Sequence, residues 1–197
     1  MMRDRGLRAA VRRFLRDSGA SATAEMVIAV ATLNMMMGAF FLFWKAFGAH
    51  ALADRTAFTV NDLVTRQRGV ELQRPLLDGL ERMAEFMLDA DQDISVRFTQ
   101  VTFRKERPTD PSAKIMIDWS YSPCGELPAA VAGDGFDVAS LPVMAENATM
   151  IITDIEVPFW SPMPMIPSMT FERRAVSVYR FEPRFNLAGA GGSSCSD

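Results

Sequence analysis

The chain has 197 residues, 49% of them hydrophobic, with a formal net charge of −3 and a mean hydropathy of +0.05. That length suits one domain, or one small domain with an appendage. Two cysteines and one histidine are too few for a four-ligand Cys/His zinc site and thin for histidine-based catalysis, so no metal or other cofactor is expected.

The averages conceal an asymmetry at the N-terminus. Residues 1–20 carry six arginines (Arg3, Arg5, Arg8, Arg12, Arg13 and Arg16) against Asp4 and Asp17, a local charge of +4, and the remainder carries −7. A basic arm of this kind binds nucleic acid in some proteins. Here an apolar run follows directly, and a free basic arm needs none, so the arm reads as a cytoplasmic membrane flank and no nucleic-acid partner is expected. The run is Met26 to Trp44, MVIAVATLNMMMGAFFLFW, nineteen residues without a charge. As a helix it covers roughly 28 Å, close to the hydrocarbon thickness of a bilayer. Trp44 and Lys45 suit the far interface, where an indole and a snorkelling ammonium reach water. A buried core helix is the alternative, although one of this length normally has a polar stripe. A cleaved secretory signal fits less well, because the run is too long and only FGAHA at 47–51 offers a weak cleavage site.

Glu25 stands at the N-terminal edge of this run. A carboxylate there is costly in lipid and tolerable at a helix N-terminus or beside a partner's cation. It either marks the start of the helix or does something more. The arginine bias places residues 1–24 in the cytoplasm and the body in the periplasm or outside. In that compartment Cys124 and Cys195 suggest one disulfide; two unrelated thiols are the alternative.

Beyond Lys45 the helix is expected to continue towards Arg68, because no proline precedes Pro75. Ala46, Ala49, Ala53, Ala57, Val60 and Val64 recur at steps of three and four and form a stripe of small apolar side chains. Such a stripe serves either as a seam for other copies or as a contact with the chain's own body. Gly69 is expected to interrupt the helix. A second, amphipathic helix is predicted over about 70–90, with Leu72, Leu76, Leu80, Ala84, Met87 and Leu88 on its apolar side. Four strands follow. ISVRFTQVTF (94–103) alternates with a shift after Phe98 that suggests a bulge or twist. KIMIDWSY (114–121) places Ile115, Ile117, Trp119 and Tyr121 on one face. The last two strands are 148–160 and 170–181. Segment 122–142 reads as a loop, 161–168 as a Pro-rich link and 186–197 as a flexible Gly/Ser tail. The fold class is therefore α+β: a long transmembrane helix leading to a second helix, then an antiparallel sheet of about four strands. Its parts are a leader-like segment (1–20), the membrane helix and its extension (21–68), an extracytoplasmic domain (69–185) and the tail (186–197).

Chemistry-bearing motifs are lacking. There is no phosphate-binding glycine loop, G-x-S-x-G or H-E-x-x-H, and no enzyme is expected. Asp89, Asp91 and Asp93 mimic a calcium loop, but Ile94 stands where its glycine belongs, and a solvated helix end is the simpler reading. Asn147 opens a chance-level sequon. Arg173 and Arg174 are strand neighbours pointing to opposite faces, and one of them is expected to meet an acid.

The stretch RRFLRDSGASATAEMVIAVATLNMM resembles the start of the TadE/TadG-like proteins of the tight-adherence (Tad) pilus system. Those chains begin with a basic segment, a small residue, four more residues, a Glu and a membrane helix; here Ser21, Ala22, Thr23, Ala24 and Glu25 match. AENATMIITDIEVPFW (145–160) and FERRAVSVYRFEPRF (171–185) resemble later segments of the family. The resemblance implies a minor pilin or pseudopilin, cut by a prepilin peptidase at Ala20–Ser21 and handled by an inner-membrane assembly platform with other pilins. Gly19 lies one position too early for the family pattern, and cutting after it would make Glu25 the sixth residue rather than the fifth. The resemblance further implies that Glu25 neutralises the freed amine of Ser21 on a neighbouring subunit, since opposite charges near lipid cost less together than apart. An unprocessed single-pass membrane scaffold of a secretion or envelope complex is the alternative function.

Overall fold

The fold is known from a computed structural model that describes residues 18–88, 94–105, 114–132, 135–136, 141–142, 145–160, 168–181 and 183–189. The chain divides into two compact units, one up to Lys45 and one from Ala46 onwards. The first is the apolar part of helix α1 (Ser18–Thr65). The remainder of α1 belongs to the second unit.

The second unit is α+β. After α1 come strand β1 (Glu71–Gln73), helix α2 (Arg74–Leu88), β2 (Ser95–Arg104), β3 (Lys114–Tyr121), a single 3₁₀ turn (Pro123–Gly125), β4 (Val131–Ala132), β5 (Gly135–Phe136), β6 (Thr149–Phe159), β7 (Met169–Val178) and β8 (Asn186–Ala188). The main sheet is antiparallel, in the order β3-β2-β6-β7. β1 pairs with β8 in parallel, as does β4 with β5. Gly69, at a φ of +114°, lies in the turn after α1, in a backbone region that only glycine enters freely.

Four short strands lie where none was expected: β4 and β5 inside segment 122–142, read as a loop, and β1 and β8. Residues 71–73 pair with β8, so α2 starts at Arg74, with Pro75 in its first turn, rather than near Val70. The same pairing makes Asn186–Ala188 a strand, so the tail expected from residue 186 does not start there.

One face of the sheet packs on α1 and α2. Ile151, Ile155 and Val157 alternate along β6 and meet Val96 and Phe98 of β2, Ala175 of β7, Ala53, Ala57, Val60 and Val64 of α1, and Leu77, Leu80 and Ala84 of α2. The small-residue stripe of α1 is thus a core face of its own domain, and Ala53, Ala57, Val60 and Val64 are at most 1% exposed. The opposite face is also covered at one end, where Val101, Met150 and Ile152 join Ala130 and Leu141 from the segment expected to be a plain loop.

Both faces being buried explains the shift along β2. Its first half puts Val96 and Phe98 inward, and its second half puts Val101 and Phe103 outward. The register against β3 slips between Gln100 and Val101, where β3 carries one extra residue, Asp118. This bulge corrects the expected alternation. Ile115 and Ile117 pack against the outer cluster, whereas Trp119 and Tyr121 pack against the inner one.

Candidate functional site: an apolar helix with an acidic head

In the first unit, Met26, Val27, Ile28, Val30, Leu33, Met35, Met36, Met37, Phe40, Phe41, Phe43 and Trp44 are all exposed, between 48% and 79%. At about 100° per residue these positions surround the helix and leave no polar stripe. Such a helix is stable only where something apolar surrounds it. The α1 segment Ala22–Thr65 is, among the described residues, one helix long and apolar enough to cross a membrane, and only 6% of its most apolar window is buried. A core helix of a water-soluble domain would be mostly covered.

The polar groups inside this stretch are satisfied locally. Thr32 Oγ1 donates to the Ile28 carbonyl and Asn34 Nδ2 to the Val30 carbonyl, each at 2.8 Å. Back-bonding one turn away is how such side chains avoid exposing unpaired donors in an apolar medium. Lys45 Nζ lies 6.0 Å from the Phe41 ring centroid, so its stem runs back along the apolar surface. Glu25 is exposed at the other end of the run. Gly19, Ala20 and Ser21, on which the cleavage expectation rests, fall in the first residues of α1.

The second unit buries several charges that sequence alone does not reveal. Asp154 of β6 accepts from Arg97 Nη2 at 2.8 Å and from Arg174 Nε at 2.6 Å, while Arg97 Nη1 reaches the Pro128 carbonyl at 2.9 Å. Arg173, on the other face of the same strand, lies 3.3 Å from Asp54 of α1. Both neighbouring arginines therefore meet an acid, on opposite faces. Asn61 bridges helix and sheet, donating to Ser177 Oγ at 2.9 Å and accepting from Thr153 Oγ1 at 3.2 Å.

Asp118, the bulge residue, accepts from Gln100 Nε2 at 3.0 Å and from Thr102 Oγ1. Gln100 Oε1 in turn takes the Phe185 N–H, and Trp119 Nε1 donates to the Phe185 carbonyl, both at 3.1 Å. Gln100, Asp118, Trp119 and Phe185 line a cleft of about 560 Å³ with Arg74, Ser120, Arg184, Asn186 and Leu187. Its buried carboxylate is already engaged by these donors, and Arg184 Nη1 lies 3.8 Å away.

Two carboxyls are held above their ordinary range elsewhere. Glu81 of α2 is pushed up to about 8, first by burial, then by Glu126, Glu85 and Asp78, with Arg82 opposing. Glu156 is raised by burial and by its cross-strand neighbour Glu172. Neither lines the cleft, so the perturbed acids and the concave surface do not coincide. Tyr121, whose hydroxyl donates to Asp78 at 2.6 Å, is pushed up to about 12 by burial and that hydrogen bond. Among the described residues no group of three or more His, Cys, Asp or Glu is placed to hold a metal ion. Asp89, Asp91, Asp93 and Cys195 lie outside the described residues. Cys124 sits exposed on the 3₁₀ turn at a φ of 56°.

No family model, no curated protein and no solved structure matches this chain.

Proposed function

We propose that this chain is a single-pass protein of the bacterial inner membrane, with a cytoplasmic N-terminus and a periplasmic or extracellular body. We further propose that it serves as a minor pilin or pseudopilin in the assembly of a Tad-type, type IV-like adhesion pilus. The observation that carries the reading is the apolar stretch of α1, which exposes large apolar side chains on every side directly after Glu25 and an arginine-rich segment. Lipid, and the helices of other pilins, are the surroundings that such a surface fits. The arginines supply the orientation.

In this reading the role is structural rather than catalytic. After a prepilin peptidase cuts at Ala20–Ser21, or after Gly19, Glu25 meets the new amine of a neighbouring subunit as the helices pack at an inner-membrane assembly platform. Because the stripe from Ala53 to Val64 is occupied by the chain's own core, it is not the assembling seam, and in this reading helix packing falls to the apolar stretch before it. An unprocessed membrane scaffold is the competing reading.

The first test is the N-terminus of the protein isolated from its native membrane. A start at Ser21 or Ala20 supports processing; a start at Met1 sinks the pilin role and leaves the scaffold. In parallel, Glu25→Ala is expected to leave membrane insertion intact and to reduce piliation at least tenfold, scored by electron microscopy. Normal piliation would remove Glu25 from the mechanism.

A further inference from the structure

The far end of the β6–β7 pair is unusually apolar for a sheet margin. Phe159 and Met169 face each other in register there, and Trp160 follows directly. Trp160 is 72% exposed and Met169 42%. From Val157 to Phe171 the sequence contains no charged residue. Isolated exposed apolar residues need no explanation, but an exposed indole one residue beyond a Phe–Met cross-strand pair, in a segment without charge, is a surface suited to an apolar contact.

What the contact meets follows from its neighbours. Phe159 lies 5.4 Å from Phe171 between ring centroids, and Phe171 lies edge-on to His50 of α1 at 5.8 Å. Arg173, two residues along β7, pairs with Asp54, one turn beyond His50. This sheet end is therefore tied to the first turns of α1 in the second unit. His50 follows Lys45 by five residues, about 8 Å of helical rise. The polar layer on each side of a bilayer's hydrocarbon core is about 5–8 Å thick. Only five residues of chain thus tie His50, which this ring cluster touches, to Lys45; in membrane proteins the interfacial layer is where tryptophan is enriched, with its ring among acyl carbons and its N–H towards water.

We propose that Phe159, Trp160 and Met169 form a second membrane contact, seated in the interfacial layer of the outer leaflet, which holds the body against the bilayer rather than leaving it on a free stalk. The inference rests on the membrane-anchor reading of α1. The partner is the lipid interface itself, and the contact is apolar and aromatic. Glu156 and Glu172 lie a few residues further along the same strands, so anionic headgroups are not its preferred surface.

The experiment uses the full chain reconstituted in phosphatidylcholine vesicles carrying nitroxide lipids, with the label either shallow or deep in the acyl chain. Wild type is compared with Trp160→Phe, so that the difference in emission belongs to Trp160, and with Trp44→Phe, so that a second difference belongs to Trp44. Both side chains are exposed, so neither change disturbs the core. The expected result is that shallow-labelled lipid quenches the Trp160 component at least twofold more than deep-labelled lipid does, while aqueous acrylamide reaches it several-fold less than free tryptophan. Three results overturn the proposal. Quenching of Trp160 by acrylamide alone places it in water. Protection from both acrylamide and lipid labels places it against another protein surface, such as a second copy. Absence of lipid quenching for Trp44 as well removes the anchor reading and this inference together, whereas lipid quenching of Trp44 alone removes only this one.

Discussion

Asp78 and Glu81 lie one turn apart on α2, and both are nearly inaccessible, at 2% and 6% exposure. Asp78 has the Tyr121 hydroxyl as a donor, whereas Glu81 Oε1 has no hydrogen-bond partner among the described residues. Burial disfavours its charged form, and the nearby carboxylates of Glu126, Glu85 and Asp78 add to this, so Glu81 ionises near 8 when folded against an ordinary 4.5. The folded state thus binds the proton more tightly than the unfolded state does. There is no penalty below about pH 4.5; the penalty grows as pH rises to about 8 and is constant beyond. Glu81→Gln is therefore expected to stabilise the body by about 1–3 kcal/mol at pH 8 and to have little effect at pH 4, read from urea denaturation at the two pH values. A mutant whose gain is equal at both would contradict ionisation as the cause.

Asp154 presents the opposite case, one carboxylate between two guanidinium groups. Its side chain is 11% exposed, and those of Arg97 and Arg174 are 17% and 29%. Removing the acid strands two partly buried cations, so Asp154→Ala is expected to cost about 2–3 kcal/mol in a urea melt. Glu146, 3.8 Å from Lys105 on the surface, is the control, and its loss should cost less than about 0.5 kcal/mol. Equal losses would mean that the Asp154 cluster contributes no more than a solvated pair.

At the scale of elements, α1 is one continuous helix with two different surroundings. Up to Lys45 its large apolar side chains are exposed on every side, Leu42 at 9% excepted; from Ala53 to Val64 one stripe is sealed against sheet and α2. Small residues are needed there because α1, α2 and the sheet share one closely packed interior. Ala57→Leu adds three carbons to a position only 1% exposed and is expected to lose about 1–3 kcal/mol by overpacking, measured by denaturation. Phe58→Ser, next in sequence but 57% exposed, is expected to change stability by less than about 0.5 kcal/mol. A tolerated leucine would show that the stripe is loosely packed. The bulge on β3 acts at the same scale. One extra residue, Asp118, turns Trp119 and Tyr121 to the helix side while Ile115 and Ile117 stay on the other. A strict period of two cannot anticipate this, because hydrogen bonding with the neighbouring strand decides where a residue is skipped.

At the scale of the whole molecule, the bridge we propose between Cys124 and Cys195 would close the chain's last third into a loop. Intact-mass measurement of exported, unreduced protein is expected to find two hydrogens fewer than the reduced chain, and Cys124→Ser is expected to cost about 2–4 kcal/mol. Two free thiols would end the idea. The exposed Cys124 turn and the outer cluster around Ala130 and Leu141 both belong to the segment read from sequence as a loop. Its Pro, Gly and Ala composition signals turns correctly and says nothing of which sheet face lies beneath.

The sequence by itself determined the features that depend on local periodicity and length: the long apolar helix, the α+β order, four strands in nearly their observed positions, and the turn at Gly69. Those signals survive without knowledge of partners, because helix and strand periods are properties of the backbone. Only the tertiary structure decided that the alanine–valine stripe faces the chain's own core, that residues 71–73 and 186–188 pair in parallel, and that both sheet faces are covered at different ends. It also decided that Asp118, Asp154 and Glu81 are buried, each in a different electrostatic setting. These depend on contacts between residues far apart in the chain, 115 positions for Arg74 and Gly189 and 116 for Asn61 and Ser177, and side-chain charge carries no mark of where such contacts will fall.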